Sequence, residues 1–170
     1  ANTEIDNLRA AFTWSRENSD TERASQLVSS LQQLWLGRGR VLEGLAWCDA
    51  VLADPNAHPD EVAPAVRAAV LADIATLNAF MGATDSMEQA LQALAIAREV
   101  DDPALLARAL TACGMVAAHD PDVARPYFTE AIELARAIGD RGQLSWILSQ
   151  RAYVAIMGGG DPIAARAAGE

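Results

Sequence analysis

The chain repeats its own pattern at an interval of 38 residues. When residues 93–110 ("ALAIAREVDDPALLARAL") are shifted by that interval they fall on residues 131–148 ("AIELARAIGDRGQLSWIL"). The matching positions include Ala93 with Ala131, Ala97 with Ala135, Arg98 with Arg136, Asp102 with Asp140, and Leu110 with Leu148. A repeat of this length, with apolar residues at helical spacing, indicates paired helices that bury their apolar faces against their neighbours.

Breaks in the pattern divide the chain into helices. A leading helix is predicted over 4–18, followed by helical hairpins over about 21–53, 62–100, 103–138 and 141–169. The breaks carry Gly, Pro and Asp, which end helices or cap the next one. No window alternates as a strand does. The sequence therefore predicts one all-α domain over 1–170, a right-handed α-α superhelix of about nine helices.

Composition excludes two classes of partner. The net charge is −10, and all 13 positive residues are Arg. Because phosphate binding needs a basic face, we expect this domain to make no direct contact with nucleic acid. The long apolar run over 62–81 contains Arg67, Asp73 and Asn78, so it is expected to lie within the protein rather than in a membrane.

Motifs for chemistry are few. "GRGRVLEG" has glycines but lacks the Lys-Ser/Thr pair of a phosphate loop, and His58 and His119 have no ligand partner at metal-binding spacing. Cys48 and Cys113 are predicted to be buried, reduced thiols of a cytoplasmic protein. We expect no catalytic, cofactor or metal site, and therefore no enzyme activity in this chain.

The surface is where function is expected. In a helical solenoid the first helix of each pair usually lines the concave side. Periodicity places one stripe of candidate binding residues on these helices: Arg67, Arg108, Thr111, Met115, Trp146, Ser149 and Tyr153. Such a row suits a peptide or a small aromatic ligand. The alternative is structural, with Trp146 and Tyr153 packed between helices and Arg108 paired with a nearby acid.

Three tryptophans fall on the first three predicted helices. Trp14, Trp35 and Trp47 are expected to form one hydrophobic cluster. Alternatively, they form a face that docks on a neighbouring domain, since exposed apolar surface favours association.

The first 50 residues resemble a known family. "DNLRAAFTWS", followed by "DTERASQLVSSLQQLWLGRGRVLEGLAW", resembles the start of the tetratricopeptide-like region of actinobacterial, including mycobacterial, LuxR-family regulators, which are signal-transduction (STAND) ATPases. The interval of 38 to 41 residues is longer than the ~34 of standard tetratricopeptide repeats. In that family the ATPase domain precedes the repeats, and a helix-turn-helix domain often follows. The resemblance thus implies a middle domain of a larger protein, in keeping with the abrupt helical start without Met.

The resemblance implies a function. The chain would be a non-catalytic sensor module of an ATP-dependent transcriptional regulator, binding a protein, a peptide or a small-molecule effector and contacting the neighbouring ATPase domain. The alternatives are an oligomerisation or scaffold domain, with a homo-oligomer as its product, and a free-standing adaptor.

Overall fold

The chain is helical throughout the part that the structure describes. The computed structural model describes residues 3–53, 62–83 and 85–159, and within these ranges it contains no strand. The helices are α1 (Thr3–Glu17), α2 (Thr21–Ser30), α3 (Gln32–Gly37), α4 (Val41–Leu52), α5 (Pro64–Phe80), α6 (Met87–Glu99), α7 (Pro103–Val116), α8 (Pro121–Ile138) and α9 (Arg141–Gly159). The all-α prediction is confirmed.

The helices stack in two layers. An inner row runs α2, α5, α7, α9, in which each helix packs against the next. The outer helices α4, α6 and α8 each lie over two inner neighbours, while α1 packs on α2 and α3 on α4. Successive hairpins thus share their apolar faces, as the repeat predicts.

Two hydrophobic clusters fill the space between the layers, and α5 contributes to both. Val70, Ile74 and Leu77 face the cluster that α5 shares with α1 to α4. Ala72 and Ala75 face the larger cluster shared with α6 to α9. Alanines dominate the larger cluster, which lets the helix axes approach closely. Because α5 is apolar on both sides, ten of its residues are buried in succession from Ala68 to Leu77.

Aspartates begin the later helices. Asp102, Asp120 and Asp140 each accept hydrogen bonds from backbone N–H groups in the first turn of α7, α8 and α9, respectively. Each cap satisfies donors that have no partner within the helix. Gly139 ends α8 in the left-handed conformation, with φ 75°, which glycine adopts without a steric penalty.

For the first half of the hairpin over 21–53 the sequence predicts a single helix, from about Thr21 to Leu36, but the structure has two. It breaks at Leu31, whose φ of −101° and ψ of 7° lie outside the helical range, so that Leu31 ends α2 and begins α3. The N–H of Leu31 bonds the carbonyl of Val28, three residues back, at 3.1 Å, and the Ser30 hydroxyl donates to the carbonyl of Leu27 at 2.7 Å. Serine side chains compete in this way with the helical ladder.

The helix count agrees with the prediction for a different reason. The described residues contain nine helices because the second predicted helix is divided. The last predicted helix, within 160–170, lies outside the described residues, as does the predicted loop over 54–61.

Candidate ligand-binding groove

The inner row of helices encloses a groove made of two adjoining cavities. Their volumes are about 460 Å³ and 390 Å³. The larger cavity is lined mainly by Gln32, Gln33, Thr76, Thr111, Asp140, Gln143, Trp146 and Ile147, and the smaller by Gln26, Ala65, Val66, Ala69, Asp102 and Leu105. Both cavities share Ser29, Ser30, Ala104, Arg108 and Gln143, so the groove is continuous at Arg108.

A buried ion pair forms the floor where the cavities meet. Arg108 Nη2 donates to both carboxylate oxygens of Asp73, at 2.6 and 2.7 Å, and Arg108 Nε donates to Oδ1 at 3.0 Å. The same Nη2 donates to the carbonyl oxygen of Ser29 at 2.6 Å. Arg108 therefore joins α7 to α5 and to the last turn of α2, whose final carbonyls lack helical partners.

Burial controls the acidity of Asp73. The Asp73 side chain is 1% exposed, whereas that of Arg108 is 26% exposed. Burial raises the pKa of Asp73 to about 6, against the opposing charge and hydrogen bonds of Arg108. Removal of a carboxylate from water disfavours its charged form, and only a well-placed cation compensates for that cost.

Two predicted binding residues line the groove beside Arg108, and two do not. Thr111 and Trp146 both line the larger cavity. Met115 lies in the core at 1% exposure, because its side chain points between α7 and its neighbours rather than into the groove. Arg67 is exposed on α5 and lines neither cavity.

The remaining two residues of the predicted stripe lie elsewhere on α9. Ser149 is exposed and lines a separate concavity of about 380 Å³ with Arg141, Leu144 and Leu148. Tyr153 stacks on Phe80 of α5, with ring centroids 5.4 Å apart. The structural alternative therefore fits two residues: Tyr153 packs against a neighbouring helix, and Arg108 pairs with an acid. It does not fit Trp146, which lines the groove.

The predicted tryptophan cluster forms, but Phe12 takes the place of Trp14 in it. Trp35 and Trp47 are in edge contact, with ring centroids 5.1 Å apart, and Phe12 rather than Trp14 stacks on Trp47 at 4.1 Å. Trp14 is 54% exposed, because two residues along a helix turn the side chain about 200° from Phe12. The prediction that all three tryptophans cluster is therefore wrong for Trp14.

Burial also limits the alternative in which these tryptophans dock on another domain. Trp35 is fully buried, and its indole N–H lies 3.4 Å from the carbonyl oxygen of Val28. A side chain in that position cannot contact a separate domain. Docking through Trp14 and the half-buried Trp47 stays a prediction.

Sequence reasoning missed the partner of Arg108. Asp73 is the acidic residue within an apolar run, and a buried carboxylate requires a partner. That signal was available, but the partner could not be deduced because Arg108 lies 35 residues away in the next hairpin. Gln143 was also missed; its Nε2 donates to the carbonyl of Ala104 at 2.7 Å and ties α9 to α7 at the groove.

Both cysteines are buried, as the sequence predicts. Cys48 and Cys113 are both free and fully buried. Burial raises the pKa of the Cys113 thiol to about 11 and that of Cys48 well above its ordinary value. Within residues 3–53, 62–83 and 85–159, no three His, Cys, Asp or Glu side chains gather as a metal site would require. None of the helices described here has the length and apolarity to cross a membrane.

The chain is similar along its whole length to mycobacterial proteins. Proteins of Mycobacterium bovis and of two strains of Mycobacterium tuberculosis, provisionally named HTH-type transcriptional regulators, are each 53% identical to it over 175 residues. The match covers 100% of this chain and 20% of each relative. The chain therefore spans about a fifth of the length of these curated relatives. No protein-family profile matches it, and no solved structure does.

Proposed function

We propose that this chain is the non-catalytic binding module of a LuxR-type, ATP-dependent transcriptional regulator. The observation that carries the proposal is the identity of 53%, along the entire chain, with a segment of relatives named HTH-type transcriptional regulators. The chain is helical where it is described, and its net charge is −10, which suits a segment that does not itself hold DNA. The groove supports binding as the contribution of this segment.

The groove gives a route from binding to regulation. Its walls come from α2, α5, α7 and α9, so one ligand touches helices of successive hairpins. A ligand that contacts these helices better in one arrangement than in another favours that arrangement. The mechanism we propose is a change in hairpin stacking, passed to the neighbouring ATPase domain of a cytoplasmic regulator. No cofactor is required in this chain.

The test compares two variants on one helix of the full-length regulator. Trp146→Ala removes a wall of the larger cavity, whereas Ser145→Ala alters an exposed residue of α9 outside both groove cavities. We expect Trp146→Ala to shift the regulator's transcription profile at unchanged protein level, with Ser145→Ala behaving as wild type. A profile unchanged by Trp146→Ala, in a strain where deletion of the regulator changes it, would count against the proposal.

Exposed apolar residues favour a second function, oligomerisation. Leu42 is 70% exposed, Trp14 is 54% exposed, and Ile156 and Met157 are 57% and 62% exposed. Apolar surface of this kind marks association sites when it is contiguous. Light scattering on the purified chain and on its Trp14→Gln and Met157→Gln variants distinguishes the oligomerisation function from the binding function. A stable dimer that either variant dissociates would support a scaffold role.

A further inference from the structure

The formal charges of the groove are unbalanced. Arg108 is the one cation among the described residues that line the two cavities, and its charge is matched by Asp73 beneath it. Asp140 lines the larger cavity and Asp102 lines the smaller, and both are exposed. Their capping bonds to backbone N–H groups leave their negative charge in place. The groove thus attracts cations and repels phosphates and carboxylates.

The uncharged residues of the groove match a peptide backbone. Gln26 and Gln33 line it from the side of α2 and α3, and Gln143 lines it from α9. A side-chain amide both donates and accepts, as a peptide group does. Arg108 adds a fixed donor: its Nε and Nη2 are held by Asp73 and Ser29, while Nη1 makes no hydrogen bond within the described part of the chain.

The shape of the groove suits an extended segment. The two cavities join at Arg108, and one acidic residue lines each of them, Asp140 the larger and Asp102 the smaller. Adjacent packed helices lie about 8–10 Å apart, so a groove crossing three of them is roughly 20 Å long. An extended chain of about six residues covers that distance. Trp146 lines the same cavity as Asp140, which provides an aromatic face and a carboxylate for one cationic side chain.

We propose that the groove binds an extended, basic peptide segment of a partner protein. The segment's backbone carbonyls accept from Arg108 Nη1 and pair with the glutamine amides. One Lys or Arg side chain lies at Asp140 and Trp146, and a second lies at Asp102. This proposal rests on the proposed function, since it names the partner that the binding module recognises.

The test is selection from a random octapeptide library displayed on phage. We expect peptides selected by the wild-type chain to be enriched in Lys and Arg, and those selected by the Asp102→Asn/Asp140→Asn variant to lose that enrichment. Asparagine caps a helix as well as aspartate does, so both helix starts are retained. The matched control is Asp85→Asn/Glu130→Gln, which removes two exposed acids outside both cavities. It reproduces the change in net charge without altering the groove.

A selected peptide is then measured by fluorescence anisotropy. We expect its affinity to fall about tenfold or more in the Asp102→Asn/Asp140→Asn variant, to fall less than twofold in the control, and to weaken as salt rises. If the affinity fell equally in the groove variant and in the control, the peptide would be attracted by net charge alone, and the proposal would be overturned. Selection of neutral or acidic peptides, or of none, would also overturn it. The proposed function would survive those results if Trp146→Ala still changed the transcription profile, and would fail only if that also stayed unchanged.

Discussion

Asp73 holds Arg108 at the meeting point of three inner helices. The carboxylate belongs to α5, the guanidinium to α7, and the same Nη2 that lies 2.6 Å from Asp73 Oδ1 also lies 2.6 Å from the carbonyl oxygen of Ser29 in α2. Each of the two hydrophobic clusters includes one face of α5. The ion pair thus joins the two clusters on the side of the groove, in addition to the packing of α5 between them.

Arg108→Met should be strongly destabilising. The substitution leaves the Asp73 carboxylate buried without a cation, which typically costs about 3–5 kcal/mol in the free energy of unfolding. Replacing both residues, as Arg108→Met/Asp73→Leu, should cost much less because no charge remains buried. Urea denaturation followed by circular dichroism measures each value. Arg67→Met, at an exposed position on α5, is the control and should change stability by less than about 0.5 kcal/mol. An Arg108→Met variant as stable as this control would contradict the role given to the pair.

The contribution of Asp73 to stability should depend on pH in an unusual direction. Its pKa is raised from 3.8 to about 6 in the folded chain. Between these values the folded state binds a proton that the unfolded state does not. The contribution is therefore present at low pH and is lost as pH rises to about 6, by up to about 3 kcal/mol.

The pH dependence is measured as a difference between two proteins. Unfolding free energies of wild type and Asp73→Asn are compared from about pH 4.5 to 7.5, which cancels the titration of all other groups to first order. We expect the advantage of wild type to shrink as pH rises and then to level off above about pH 6.5. A difference that stays constant across this range would mean that Arg108 keeps the carboxylate ionised throughout, without a raised pKa.

The layers of the fold were predictable because they follow from local patterns. Gly, Pro and Asp mark helix ends, and the interval of 38 residues places successive hairpins in equivalent positions. The break at Leu31 was not predictable in the same way, because apolar periodicity continues through it. The structure shows the Ser30 hydroxyl bonded to a backbone carbonyl beside the break, but equivalent bonds within α5, α7 and α9 leave those helices intact.

The groove was harder to predict than the layers. Periodicity places Arg108, Thr111 and Met115 on one stripe, but a stripe on an inner helix has a buried edge and an open edge. Met115 lies on the buried edge. Arg67 occupies the position equivalent to Arg108 one hairpin earlier, yet it is exposed, and no acid among the described residues pairs with it as Asp73 pairs with Arg108. Which long-range partner a polar residue finds depends on packing between hairpins, and a single sequence does not specify that.

Gly44→Ala should destabilise the first hairpin. A Cβ at this position would lie 2.6 Å from Cγ of Trp35, and Trp35 is fully buried and in contact with Trp47, so it has little room to move. Overpacking of this kind typically costs about 1–3 kcal/mol. Thermal unfolding and tryptophan fluorescence report the effect. Gly37→Ala is the matched control, since a Cβ there has no atom within 4 Å, and it should be neutral or slightly stabilising. Similar melting temperatures for both variants would show that α3 and α4 can separate without cost.

Cys48 and Cys113 should be unreactive in the folded chain. Both are fully buried, and burial raises the pKa of each thiol, to about 11 for Cys113. Since the thiolate is the nucleophile, almost none is present at about pH 8, and the reagent has no access to it. We expect no thiol of the native protein to react with Ellman's reagent in buffer. In guanidinium chloride, two thiols should react in the wild-type chain and one in the Cys113→Ala variant. Rapid release of one thiol from the native protein, abolished by Cys113→Ala, would instead identify a reactive cysteine on α7 and reopen the question of catalysis in this chain.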